Sequence, residues 1–177
     1  MNQEKEAENL MDKIKNFKEA DKVDLSSKED LAIAVMNLIS IEEHLFYTYG
    51  KTNKESYLDM LNEVREIRKK YLAQIVKDPE GEIWCISKHF LAASMRLMEV
   101  GTKKLNENKK EEAKDLFDNA YQLWNVFWGI NLKLIAYEDV KADLKKEEEI
   151  PLPKKEKVSV FASLGKVVQK VLDCCRE

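Results

Sequence analysis

The residues best placed to do chemistry are charged ones that stand where apolar ones are due. Glu42 falls between Leu38, Leu45 and Tyr49 in helical projection, inside a stripe otherwise spaced for burial. An ionised carboxylate isolated in such a place is strongly disfavoured and needs a cationic partner or a proton. Arg68 stands in the same way among Val64, Tyr71 and Ile75, with Arg65 on its flank. Laying the two segments antiparallel puts Arg65 about one turn from Glu42 and Arg68 about two turns away. Arg65 is therefore the expected partner, with Ser94 or Tyr121 as hydroxyl donors. One reading is a structural ion pair that fixes helix register. The alternative is a polar cleft with a perturbed acid, serving a small-molecule site or an enzymatic bundle around Glu42 and Arg65. The structural reading is preferred.

Other chemistries fail at the level of spacing. A di-iron bundle needs Glu-x-x-His on two helices. The two histidines, His44 and His89, have Ile41 and Ile86 three residues before them, so that motif does not occur. Cys85 and His89 lie four apart on one helical face and suit a soft metal. That face turns away from the expected buried seam and shows no further ligand, so the pair is the one candidate in a chain read as having no metal site and no cofactor. His44 projects off its stripe as a surface residue. Nucleophilic catalysis has no glycine-flanked serine elbow and no phosphate-cradling glycine loop to work with. The basic patch Arg65, Arg68, Lys69 and Lys70 is interrupted by Glu63 and Glu66, and no stacking platform accompanies it. Trp84, Trp124 and Trp128 with Phe127 recur at helical spacing and read as core, with Asn131 level with Trp84 as acceptor for its indole N–H.

These residues must be positioned by helices. The 177 residues include only 5 Gly and 3 Pro and are 36% charged, a balance that favours helix over sheet in a single domain. The strongest pattern spans Glu82 to Ile135. Ser87, Leu91, Ser94, Met98, Gly101 and Leu105 alternate small and large residues, and Ala113, Phe117, Ala120, Trp124, Phe127, Asn131 and Leu134 continue the spacing. A turn near Glu107–Asn108 sets Gly101 opposite Ala113 and Ser94 opposite Ala120, so that two backbones approach closely.

The rest of the chain supplies two more core helices and two flanks. Residues 1–27 form a weakly amphipathic N-terminal segment ending in a break at Asp24–Ser27, with Ser27 and Asp30 as a capping box. The expected core helices are 28–49, 54–77, 79–106 and 109–145, an all-α antiparallel bundle within a domain at 28–149. Gly50 suits the left-handed position after the first of them, and Thr52 with Glu55 caps the second. That second helix presents Tyr57, Leu61, Val64, Ile67, Tyr71 and Ile75. Asp78-Pro79 opens the third. Residues 150–157 form a Pro/Lys linker, and 158–177 a separate amphipathic helix with Val160, Phe161, Leu164, Val167, Val168 and Val171 as the partner-binding stripe.

The net charge of −3 gives no reason to expect nucleic acid as partner. Residues 154–177 hold six Lys/Arg and three Asp/Glu, a surplus of +3 that leaves −6 on residues 1–153. The tail's polar face carries only Lys166 and Lys170, too little basic charge to favour a membrane surface. No apolar run reaches the ~18 residues of a membrane span, and the opening residues do not resemble a signal peptide. Three cysteines, with Cys174 and Cys175 adjacent, make no disulfide framework, so a reducing cytoplasm is the expected home.

Two resemblances attach to these segments. Leu97-Met98-Glu99-Val100-Gly101 followed by Glu112 to Ala120 resembles one tetratricopeptide-type repeat, with Gly101, Ala113, Phe117 and Ala120 at its small, small, aromatic and small positions. Leu97, Lys104 and Asn125 stand where that family often has Trp, Tyr and Pro, and one period earlier Pro79 occupies the alanine position. The resemblance implies a closely packed hairpin and, as for such repeats, peptide binding. Ile41 to Phe46 and Trp84 to His89 are similar to an uncharacterised helical family of candidate-phylum bacteria over about residues 30–135, which implies no activity. The resulting expectation is a non-catalytic bundle that binds protein or itself, through the C-terminal helix or the groove beside the 82–135 hairpin.

Overall fold

A computed structural model describes residues 19–77 and 81–135, with side chains from Leu25 onward. All four described elements are helices: α1 (Glu19–Thr52), α2 (Ser56–Ile75), α3 (Glu82–Asn106) and α4 (Lys110–Asn131). α1 pairs with α2 and α3 with α4, and the two hairpins meet chiefly through α1 and α3. The all-α antiparallel arrangement is the one the periodicity predicts.

α1 departs from expectation at both ends. It runs without interruption through Asp24–Ser27, so the capping box at Ser27 does not open it. The stretch contains neither Pro nor Gly, and interior serines each cost only ~0.5 kcal/mol. Continuing the helix sets Leu25, 3% exposed, into the main core, a burial that outweighs that cost. At the other end Gly50 stays helical. Asn53 takes the left-handed backbone instead, at φ 54°, and its N–H closes on the Tyr49 carbonyl at 2.7 Å. Thr52 donates its hydroxyl to the Thr48 carbonyl, which leaves α2 to start after Glu55 with no side-chain cap.

α2 turns Tyr57, Leu61, Val64, Tyr71 and Ile75 inward as expected and buries Arg68 and Leu72 with Ile75, while Ile67 departs from the stripe at 45% exposed. α3 begins after Gly81, whose φ of 118° is readily open only to glycine. The expected Asp78-Pro79 cap lies outside the described residues. The α3–α4 turn falls at the expected place, with Asn108 left-handed at φ 59°. α4 stops at Asn131, well short of residue 145. Lys133 turns left-handed at φ 56°, and the Leu134 N–H reaches back to the Gly129 carbonyl at 2.8 Å, which folds Leu134 into the core.

The seam between α3 and α4 is built from small residues. Ser87, Ser94, Gly101, Ala113 and Ala120 are all buried. A Cβ placed on Gly101 would stand 2.6 Å from the Phe117 ring, so that ring lies against the glycine backbone. Met98 and Leu105, expected in the same stripe, are 45% and 43% exposed, because toward the hairpin tip little beyond the partner helix covers them. The main core lies where the hairpins join. It draws Leu25, Ala32, Val35 and Met36 from α1, Leu72 and Ile75 from α2, Leu91 from α3, and Phe127 and Trp128 from α4.

Candidate functional site

The acidic residue singled out by its position on α1 is paired, but with a different arginine from the expected one. Arg68 Nε donates to Glu42 Oε1 at 2.5 Å and Nη2 donates to Oε2 at 3.3 Å. The Arg68 side chain is 4% exposed and that of Glu42 16%. Arg65 is exposed. The cause is the turn. Extending α1 past Gly50 moves the turn about three residues along the chain, and each residue of that shift displaces facing pairs by two. The helices slide past each other by roughly two turns, and Arg68 arrives opposite Glu42. Its planar guanidinium then engages both carboxylate oxygens, the geometry for which arginine is suited.

A neighbouring ion pair was not anticipated. Glu43, about 100° round the helix from Glu42, bonds Arg96 of α3, which also holds Glu99 at 2.5 Å. Two consecutive carboxylates of α1 thus tie it to two different helices. The exposed pair stabilises little. Only the tertiary arrangement could reveal it, since nothing in helical projection marks Arg96.

The other members of the expected polar network are used inside the second hairpin. Ser94 Oγ donates to the Ala120 carbonyl across the seam at 2.8 Å. Asn131 is not the acceptor for Trp84. Its Nδ2 donates to Ser87 Oγ at 3.1 Å and to the Phe127 carbonyl at 2.8 Å. Tyr121 is 46% exposed. Glu42, Arg68, Ser94 and Asn131 therefore serve separate contacts rather than converging. Asn125 Oδ1 and Trp128 Nε1, both buried on α4, have no hydrogen-bond partner among the described residues.

Cys85 and His89 stand together on the exposed side of α3, Sγ to Nε2 at 3.4 Å. Among the described residues no group of three His, Cys, Asp or Glu is placed to hold a metal ion. At the α3–α4 tip, Lys104 reaches Glu112 at 3.2 Å and Glu107 at 3.4 Å, and Lys109 reaches Glu107 at 2.8 Å. The bond to Glu112, then that to Glu107, raises the Lys104 pKa above its ordinary value. Glu107 is lowered, first by Lys109 and then by Lys104.

Val160, Phe161, Leu164, Val167, Val168 and Val171 lie outside the described residues, as does the linker before them. No described helix is long and apolar enough to cross a membrane. No known family, curated protein or solved structure matches the chain.

Proposed function

We propose that this chain is a non-catalytic helical module that works by binding another protein or a second copy of itself. The observation that carries this reading is an aromatic pair on α1. Phe46 and Tyr47 are 57% and 55% exposed, and their rings meet edge to face at 5.3 Å. Ile33, Ile41, Leu58, Met60 and Ile67 add exposed apolar surface on the same hairpin. Aromatic side chains are enriched among the anchors of protein interfaces, and an exposed aromatic pair in mutual contact suits burial by a partner. The Glu42 carboxylate is held at both oxygens by a buried arginine, which supports a structural role for it over the enzymatic alternative. The resemblance of residues 97–125 to a single tetratricopeptide-type repeat agrees with a contact surface beside the α3–α4 hairpin. The apolar spacing in the sequence of residues 158–177, which lie outside the described residues, agrees with the same reading.

Affinity capture and light scattering test this on three proteins: the full chain, a chain ending at Glu149, and a Phe46→Ser/Tyr47→Ser variant. The expected result is a captured protein or a higher mass with the full chain that one of the other two loses, with helical content retained. Identical mass and identical capture for all three would overturn the reading.

A further inference from the structure

We propose that the solvent-facing side of α1 pairs antiparallel with the same side of a second copy of this chain, about a two-fold axis at Ser40–Ile41. The chain is 36% charged, yet between Leu31 and Gly50 only Glu42 and Glu43 are acidic and no lysine or arginine occurs. Both acids turn to other helices of their own chain, Glu42 to Arg68 and Glu43 to Arg96. The row left facing outward is Ile33, Asn37, Ser40, Ile41, His44 and Thr48, which runs for about 22 Å without an acid, a lysine or an arginine. Ile33 and Ile41 are 47% and 45% exposed. Asn37 Nδ2 donates to the Ile33 carbonyl at 3.0 Å, and the Thr48 hydroxyl donates to the His44 carbonyl at 2.8 Å. Those donors are satisfied within the helix, so the row is less polar toward a partner than its composition suggests.

Charge stands at the two ends of the row, Asp30 at one and Lys51 at the other. Both are exposed, and neither is in an ion pair among the described residues. From Asp30 inward the row steps by three, four and three residues to Ser40, and from Lys51 inward by three, four and three to Ile41. A row that reads the same from either end comes level with itself when a second copy is turned end for end, the condition for a two-fold interface. Antiparallel pairing then sets Asp30 of each copy level with Lys51 of the other, Asn37 level with His44, and Ile41 beside its own counterpart. Tyr47, 55% exposed and on the same flank of the row as Ile33, comes level with Ile33 of the second copy. Parallel pairing would instead oppose Asp30 to Asp30 and Lys51 to Lys51, and like charges facing each other across an interface cost affinity. The order of the charges thus selects a second copy, reversed, as the occupant. This pairing rests on the interaction role proposed for the chain and commits it to one partner.

Sedimentation equilibrium of the full chain is the test, with circular dichroism to confirm that each variant keeps its helices. The expected result is a dimer. Ile41→Lys, which brings two ammonium groups together at the axis, weakens it more than about tenfold. Asp30→Lys and Lys51→Asp each weaken it about threefold or more at low salt, and less as salt is raised. An equimolar mixture of those two variants recovers a dimer of near wild-type affinity, because the mixed pair restores opposite charges at both ends. A monomeric wild-type chain, a dimer unmoved by Ile41→Lys, or a charge swap that the mixture does not recover would each overturn the proposal. A monomer that still captures another protein overturns the second copy alone and leaves the interaction role standing, whereas a monomer that captures nothing overturns both.

Discussion

Glu42 shows how far a single residue's position can be interpreted. A carboxylate on an apolar stripe demands a partner, and that demand is visible in helical projection. Which arginine answers it depends on the length of the turn between two helices, which three consecutive residues, Gly50 to Thr52, decide by staying helical. Arg68→Ala should destabilise the fold by about 3 kcal/mol in urea unfolding, the low end for breaking a buried pair because Glu42 keeps some contact with water. Arg65→Ala should change stability by less than about 0.5 kcal/mol, since that side chain is exposed. The double variant Glu42→Leu/Arg68→Met should recover most of the loss, because apolar replacements remove the desolvation cost along with the attraction. A larger loss for Arg65→Ala than for Arg68→Ala would contradict the pairing described.

At the scale of the element, the α3–α4 hairpin was legible because its small residues recur at helical spacing on both arms. The detail that escaped is what fills the gap opposite Gly101, which is the Phe117 ring. Gly101→Ala brings opposing effects: alanine favours helix by about 1 kcal/mol, while a Cβ pressed into the ring costs about 1–3 kcal/mol. The substitution should destabilise the wild-type chain and stabilise a Phe117→Ala chain, a change of sign that a double-mutant cycle measures. The hairpin tip gives a pH signature. Glu107 is depressed in the fold, so its contribution is present above the ordinary carboxylate value of 4.5 and is lost as pH falls through the lower folded value. Lys104 is raised, so its contribution is present below 10.5 and is lost as pH climbs through the higher folded value. Lys104→Met should remove the Lys104 contribution to the alkaline limb of the stability–pH curve and reduce the acid limb only in part, since Lys109, the larger cause of the Glu107 shift, remains.

For the whole molecule, the decisive feature is that one core serves both hairpins. Leu72 of α2 belongs to the same buried cluster as Leu91, Phe127 and Trp128. All three tryptophans lie on the second hairpin, at positions 84, 124 and 128. Leu72→Ala should cost about 2–5 kcal/mol. It should also move the tryptophan fluorescence transition and the circular dichroism transition together, although the substitution is in the first hairpin. A fluorescence midpoint left in place while helicity is lost earlier would mean that the hairpins unfold independently.

By itself the sequence determined that the described chain is helical, that 82–135 folds back near Glu107–Asn108, and that Glu42 must be neutralised. Each of these follows from local spacing, because a helix repeats every 3.6 residues and an acid on its buried stripe is costly wherever the partner stands. Tertiary structure alone decided the register of α1 against α2, the link from Glu43 to Arg96, the continuation of α1 through Ser27 and the end of α4 at Asn131. The register follows from where the α1–α2 turn falls, and the last two from what burying Leu25 and Leu134 gains, a gain that exists only once the two hairpins have met.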